Sequence, residues 1–184
     1  MSVDLHLASD VNVHVRIRDL MPEDEAEVLA LFDAAEEWFI AATGQPAAPG
    51  DVQSLYYTLP EGAQFDDKVL LVITASNRIV GVVDAVLHHP AAEDCAVGLF
   101  LIHPAWQHTG LGLLTANALL SDLAARGFSG VTASLTEGWE PGRAFLERLG
   151  FAFDPPRTPD AMNRNLGPAE RSVIPARLEL GRVD

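Results

Sequence analysis

The chain has 184 residues, a formal net charge of −14, 48% hydrophobic residues and 21% charged residues. This balance is typical of a soluble globular domain with a sizeable core, and no apolar run approaches the ~20 residues that span a bilayer. The excess of acid argues against nucleic acid as a partner, because phosphate contacts need Lys and Arg. A single cysteine, Cys95, excludes an internal disulfide framework and favours a cytoplasmic location.

Most of the negative charge lies in one block between residues 19 and 67, which holds 12 acidic residues and no Lys, Arg or His. One interpretation is a solvated surface that keeps the protein soluble, and the other is a field that attracts a cationic substrate. The composition of the block leaves both interpretations open.

The chain begins with a predicted tail over residues 1–10, and one domain is expected over residues 11–184. Apolar residues at every second position from Val11 to Ile17 predict a half-buried strand. A helix is expected from Pro22 to about Phe39, because proline suits a first helical turn and the apolar residues after it repeat at helical spacing. A second short helix over roughly residues 51–59 follows a break rich in Gly and Pro.

Two β-rich runs, Val69 to Ala75 and Ile79 to Leu87, are separated by three residues and predict a hairpin. The adjacent histidines His88 and His89 follow it. Neighbours on a strand point to opposite faces, so this pair does not predict a metal site.

The central segment, Cys95 to Gly127, has the order strand, turn, glycine-rich link and helix. Its apolar run stops at Pro104, and Gly110 and Gly112 open a helix rich in Leu and Ala. The first amides of such a helix are unpaired and the helix dipole adds positive charge there. The segment therefore predicts a site for a phosphate or pyrophosphate, although its spacing is neither that of a dinucleotide-binding fingerprint nor that of a P-loop.

Beyond the central segment, alternating residues over 131–136 predict a strand and residues 141–149 predict a short helix. A further strand begins at Phe151, and residues 155–168 predict a long loop. The last strand is expected over 173–180, where a proline marks an edge or a bulge. An open edge favours pairing between copies, so a homodimer is expected.

The string from Ile102 to Gly112, IHPAWQHTGLG, resembles the acetyl-CoA motif of the GNAT N-acetyltransferase superfamily, roughly Val-x-Pro-x-aromatic-Arg/Gln-x-x-Gly-x-Gly/Ala. Residues 144–151, AFLERLGF, are similar to a late segment of that family, which ends in Glu-Lys/Arg-Leu-Gly-Phe. The order of predicted elements from Val11 to about Leu180 also matches the family.

The resemblance implies an α/β (α+β) fold of the GNAT type. Its central sheet would be mixed, mostly antiparallel and six to seven strands wide, with a splay between the fourth and fifth strands and about four flanking helices. It also implies that acetyl-CoA is the acyl donor and that no metal takes part. The residues implied in binding acetyl-CoA are Leu101, Ile102, His103, Gln107, His108, Thr109, Gly110, Leu111, Gly112, Leu113, Trp139 and Arg143.

The implied reaction is direct attack of an acceptor amine on the thioester. Where the family often has a tyrosine acid this chain has Leu146, and where it often has an asparagine this chain has Trp139. The strand carboxylate that many members use as the base is missing, because Ala96 and Gly98 stand in its place. Candidate replacement bases are Glu93, Asp94, Asp84, His103 and Glu137, and the acid could be Tyr56 or Tyr57.

Two functions are consistent with these features. The first is an N-acetyltransferase that acts on a small cationic amine or on a peptide N-terminus, with no nucleic-acid or membrane partner. The second is a catalytically weak CoA-binding or regulatory module of the same fold, which the missing tyrosine and the missing strand carboxylate favour.

Overall fold

The computed structural model describes residues 2–7, 13–157 and 172–181. Within these ranges the strands are β1 (Ser2–Leu7), β2 (Val13–Asp19), β3 (Lys68–Ala75), β4 (Arg78–Leu87), β5 (Asp94–Ile102), β6 (Gly130–Thr136), β7 (Ala152–Phe153) and β8 (Val173–Glu179). The helices are α1 (Glu25–Ala34), α2 (Glu36–Thr43), α3 (Pro49–Tyr57), α4 (Leu111–Ala125) and α5 (Glu140–Leu149). The strands form one sheet in the order β1-β2-β3-β4-β5-β6-β8-β7.

The predicted fold class is confirmed, because the sheet is mixed and mostly antiparallel. The described chain nevertheless has eight strands and five α-helices, where six to seven strands and about four helices were expected. One difference lies in the predicted tail, where Ser2–Leu7 pairs antiparallel with β2. Val3 and Leu5 alternate with polar residues and pack against the core, which fixes this edge strand. Val11, the start of the first predicted strand, lies outside the described residues.

The predicted helix from Pro22 to Phe39 is divided in the structure. Residues Pro22–Asp24 form a single 3-10 turn, and Ala35 leaves helical geometry between α1 and α2. The predicted position of the last strand at a sheet edge is wrong. Strand β8 lies inside the sheet between β6 and β7.

Most of the predicted loop, residues 158–168, lies outside the described residues.

The two faces of the sheet are separated by the alternation of side chains along its central strands. Val72 and Val82 are fully buried against α1, α2 and α3. Ile73 and Val83 point the other way and pack with residues of α4. Burial on both faces explains why β3 and β4 are almost continuously apolar.

Strands β5 and β6 are parallel neighbours that separate after four residue pairs. Pairing runs from Asp94 opposite Gly130 to Val97 opposite Ala133 and then stops. Beyond this point β5 stays paired with β4 as far as Ile102, while β6 stays paired with β8 as far as Thr136. A wedge therefore opens between two well-anchored strands, at the position where the splay was predicted.

The closed end of the wedge is held by an ion pair between a buried carboxylate and a partly exposed guanidinium. Asp94 is 4% exposed, and its two carboxylate oxygens accept hydrogen bonds from Arg177 at 2.9 and 3.0 Å. Arg177 lies on β8, so its side chain must cross β6 to reach β5. It crosses at Gly130, where a Cβ atom would collide with both partners.

Cys95 is a core residue of the described structure. It is 1% exposed, and burial raises the pKa of its thiol to about 11. Because the thiolate is the reactive form, we expect the native protein at pH 8 to react with an aromatic disulfide reagent roughly 100-fold more slowly than the protein unfolded in guanidinium. The measurement is the absorbance of the released aromatic thiol with time. Equal rates in the two states would contradict the burial of this thiol.

Candidate active site

A cleft of about 520 Å³ lies at the splay of β5 and β6. This volume is within the range of small-molecule sites. Its walls come from α2, from both separated strands, from the link before α4 and from α5. The cleft therefore reaches both faces of the sheet, with the first turn of α4 on one side and α2 on the other.

The link before α4 is shaped by two left-handed residues. His108 has φ +61° and Gly110 has φ +90°, and α4 begins at the next residue. Such a turn directs successive backbone N–H groups into a concave anion site. The amides of Gly112 and Leu113 lie in the first turn of α4, where no intrahelical carbonyl can pair with them. Both residues line the cleft, so their amides and the helix dipole favour an anion there.

Gly112 also sets the packing between α4 and α5. A Cβ atom at this position would lie 3.3 Å from the ring of Phe145, which is closer than ordinary contact. Phe145 in turn stacks on Phe100 of β5, with ring centroids 5.3 Å apart. The missing side chain at Gly112 thus lets α4 approach α5 beside the cleft.

Eight of the residues predicted to bind the donor line the cleft. They are Leu101, Ile102, Gln107, His108, Gly110, Gly112, Leu113 and Trp139. Gln107 also has a structural part, since its side-chain amide donates a hydrogen bond to the carbonyl of Ile102 at 3.0 Å. This bond satisfies the last carbonyl of β5 and fixes the direction of the link.

Four of the predicted donor residues do not line the cleft. The side chain of Leu111 is fully buried in the core, and the Thr109 hydroxyl donates to the carbonyl of Trp106. Arg143 lies over the ring of Phe153 at 4.6 Å. His103 caps the following 3-10 turn, where its Nδ1 accepts a hydrogen bond from the backbone N–H of Ala105. Their assignment to acetyl-CoA stays a prediction.

The four predicted catalytic residues of the chain are not brought together. Asp94 is occupied by Arg177 at the closed end of the wedge. Glu93 is exposed at the same end, and Glu137 is exposed after β6. His103 and these three residues are all missing from the set that lines the cleft.

The described residues of the cleft lack the tyrosine acid that the family often uses. Leu146 and Trp139 line the cleft at the two positions in question. Tyr57 is 76% exposed. The Tyr56 hydroxyl is buried with no hydrogen-bond partner in the described ranges, and burial raises the pKa of this phenol.

Several cleft residues carry no signal in the sequence. Trp38, Ala41 and Ala42 of α2 form an apolar wall, although the helical spacing indicated only core packing around residue 38. Ser134 and Thr136 supply hydroxyl groups from the separated part of β6. Only the long-range arrangement of α2 and β6 across the wedge identifies these residues.

The acidic block is divided between structural and free carboxylates. Asp24 is held by Arg18 at 2.6 and 2.9 Å, and this guanidinium lowers the pKa of the carboxyl. Oε2 of Glu27 accepts a hydrogen bond from the backbone N–H of Ile79 at 3.0 Å. By contrast, Glu36 and Glu37 are exposed to solvent in the first turn of α2. Later residues of the same helix line the cleft. Part of the block therefore builds the fold, and part of it leaves negative charge near the cleft.

Two classes of site are not found in the described part of the chain. No three His, Cys, Asp or Glu side chains in residues 2–7, 13–157 and 172–181 are grouped to hold a metal ion. Over the same ranges, no helix has the length and apolar character that a membrane crossing requires.

The model of the acetyltransferase (GNAT) family matches residues 29–151, which include the link and all the residues that line the cleft. A comparison with curated proteins finds no match.

Solved structures with the same fold include three acetyltransferases. One from Thermus thermophilus has a TM-score of 0.71 at 20% identity, covering 96% of this chain and 100% of that chain. A spermidine N-acetyltransferase from Vibrio cholerae, solved with CoA and spermine, has a TM-score of 0.68 at 12% identity. The alignment covers 90% of this chain and 95% of that chain. An acetyltransferase from Salmonella typhimurium that modifies the N-terminal serine of ribosomal protein L7/L12 has a TM-score of 0.72 at 14% identity, with 91% and 95% covered.

Proposed function

Because the chain belongs to the GNAT acetyltransferase family, we propose that it transfers an acetyl group from acetyl-CoA to a primary amine in a ternary complex. The observation that carries this proposal is the single cleft that joins the first turn of α4 to the splay of β5 and β6. An anion site at one end and an open strand edge at the other suit a long donor with a pyrophosphate and an amide-containing arm.

The donor would lie along the separated part of β5. From Gly98 onward the edge of β5 that faces β6 has no strand partner among the described residues, so its free backbone groups can pair with the pantetheine arm, as an added strand would. The pyrophosphate would bind the amides around Gly110 and Gly112. This arrangement holds the thioester near the splay, and positioning of two reactants supplies much of the rate in a direct transfer.

The reaction balances as a simple acyl transfer. The ammonium group of the acceptor loses one proton, and the nitrogen lone pair then forms a C–N bond with the thioester carbonyl. The C–S bond breaks, the thiolate leaves, and the second proton from nitrogen neutralises it. Backbone N–H groups of β5 at the splay are suited to stabilise the oxyanion of the tetrahedral intermediate.

The acceptor we propose is a small cationic amine, with a peptide N-terminus as the broader alternative. Free carboxylates on α2 and the net charge of −14 support a cation and disfavour an acidic acceptor. A homodimer and a cytoplasmic location also remain part of this proposal, although β8 no longer supplies the open edge on which the homodimer was expected.

The direct test is CoA release with a panel of amines, together with titration of acetyl-CoA. We expect saturable acetyl-CoA binding and turnover of at least one cationic amine. If acetyl-CoA does not bind at millimolar concentration, the proposal is wrong.

The electrostatic part of the proposal has its own test. Surface attraction is screened over about 10 Å at 0.1 M salt, so kcat/KM for a polyamine should fall severalfold between low salt and about 0.2 M salt. The matched comparison is a monoamine of similar length, whose kcat/KM should fall less. An identical salt response of the two acceptors would count against attraction by the acidic block.

The second candidate function is a CoA-binding module with weak catalysis. It is favoured by the apolar Leu146 and Gly98 in the cleft and by the absence of carboxylates among the described lining residues. Acetyl-CoA binding without turnover on any amine of the panel would support this function instead.

A further inference from the structure

Asp84 has an unusual position for a carboxylate in the middle of a sheet. It lies on β4, on the face covered by α1, α2 and α3, and its side chain is 14% exposed. Lys68 of β3 donates to its Oδ1 at 2.8 Å, and the same ammonium donates to the carbonyl of Thr58 at 2.7 Å. The Lys68 side chain is only 5% exposed, so the pair is held in one geometry.

The other oxygen of Asp84 lies beside Gly98, which lines the cleft, although Asp84 itself is not among the lining residues. Pairing of β4 with β5 shifts after Asp84, which lies opposite Leu99, while Ala85 lies opposite Val97. Gly98 is thus an extra residue in β5, and β-bulges of this kind often re-aim groups next to active sites. A Cβ atom at Gly98 would lie 3.8 Å from Oδ2 of Asp84.

The missing side chain of Gly98 leaves a gap between Oδ2 of Asp84 and the cleft. Gly98 is exposed and lines the cleft at the point where β5 and β6 separate. Oδ2 of Asp84 has no hydrogen-bond partner in the described ranges, in contrast to Oδ1. The carboxylate therefore presents one held oxygen and one free oxygen, and the free oxygen lies beside the position where the thioester is proposed to be held.

The surroundings of Asp84 also suit proton transfer. Burial raises the pKa of this carboxyl, although the hydrogen bond and the charge of Lys68 act to lower it. Lys68 is the charged group that faces it from β3, β5 contributes only Gly98 and Leu99, and the wall from α2 is apolar. A carboxylate with a raised pKa is a stronger base than an exposed one.

Resting on the proposed function, we infer that Asp84 binds the acceptor ammonium group through Oδ2 and takes its proton before the attack on the thioester. The proton moves from nitrogen to Oδ2, directly or through one water, and leaves the lone pair on nitrogen for the new C–N bond. Lys68 acts as a positioning residue that holds Oδ1. The missing strand carboxylate at residue 98 is thereby replaced by a carboxylate on the neighbouring strand, which reaches the same space across a glycine.

The test compares Asp84→Asn and Gly98→Val with the unaltered chain. Asp84→Asn keeps an oxygen for Lys68 and should lower kcat roughly 100-fold or more, the usual size of a general-base contribution. The kcat of this variant should rise only when the pH approaches the pKa of the free amine, because the variant needs an acceptor that is already neutral. Gly98→Val leaves the ion pair untouched and should lower kcat by covering Oδ2. Acetyl-CoA affinity should stay within about threefold in Asp84→Asn.

Two further variants separate chemistry from folding. Gly98→Glu combined with Asp84→Asn returns a carboxylate to the gap. The double variant should recover part of kcat, together with activity at pH values below the pKa of the amine. Asp154→Asn, which changes an exposed carboxylate paired with Arg157, should have no effect. If Asp84→Asn folds and keeps both kcat and its pH profile, or if Gly98→Val binds acetyl-CoA and keeps kcat, the role of Asp84 is wrong while the proposed function stands. An unaltered chain that acetylates no amine would overturn both.

Discussion

Gly110→Val is expected to abolish acetyl-CoA binding while the protein stays folded. Gly110 has φ +90°, a region that β-branched residues very rarely adopt. The valine would distort the link and place methyl groups where the pyrophosphate must approach the amides of α4. We expect the Kd for acetyl-CoA to rise by about 100-fold or more, which corresponds to about 2.7 kcal/mol. Isothermal titration calorimetry with acetyl-CoA measures this directly.

Gly127→Val is the matched control for this experiment. Gly127 has φ +91°, follows the other end of α4, and would place its Cβ atom in open space. The two substitutions should destabilise the protein by a similar amount, about 1–2 kcal/mol for the left-handed backbone. Only Gly110→Val should lose the donor. Equal losses of acetyl-CoA affinity in the two variants would mean that backbone strain, and not the position of the link, explains the result.

Arg177→Ala is expected to give the largest loss of stability among surface-accessible substitutions. It would leave the carboxylate of Asp94 buried without its partner, at the closed end of the wedge. Breaking a fully buried pair costs about 3–5 kcal/mol, but the Arg177 side chain is 41% exposed and water can reach the carboxylate once it is gone. We therefore expect a loss of about 2 kcal/mol in the free energy of unfolding.

Urea denaturation measures this loss as a lower midpoint at an unchanged slope. Arg157→Ala is the control, because its ion pair with Asp154 is more than 60% exposed on both sides and should contribute less than about 0.5 kcal/mol. Gly130→Ala reaches the same pair from the other strand, since its methyl group would collide with both partners. If Arg177→Ala is as stable as Arg157→Ala, the ion pair does not hold the closed end of the wedge.

Elements encoded by local patterns could be predicted from this sequence, whereas long-range arrangements could not. The alternation of β3 and β4 and the glycine-rich link at residues 110–112 are encoded within a few residues, and the structure places them as predicted. Strand β1 was predicted as a tail, although Val3, Leu5 and Leu7 alternate with polar residues in the sequence. Its stability comes from pairing with β2 and from the core contacts of Val3 and Leu5.

Asp94 and Asp84 illustrate what sequence distance conceals. Both are carboxylates at or near a strand, and the sequence leaves both open as a base. In the structure, Asp94 is occupied by Arg177, which is 83 residues away along the chain. Asp84 instead has one free oxygen beside the cleft, because a single-residue shift in the pairing of β4 and β5 places Gly98 next to it. A one-residue change of register moves side chains between faces, and no local pattern in this chain specifies that shift.

The sequence by itself therefore indicated the family and predicted the anion site at the start of α4, because a helix N-terminus opened by glycines is a local feature with its own electrostatics. The proposed acceptor end depends on the tertiary structure alone. The apolar wall of α2, the separated half of β6 and the carboxylate behind Gly98 come from segments that are far apart in the chain. They meet only because β5 and β6 are paired at one end and separate at the other.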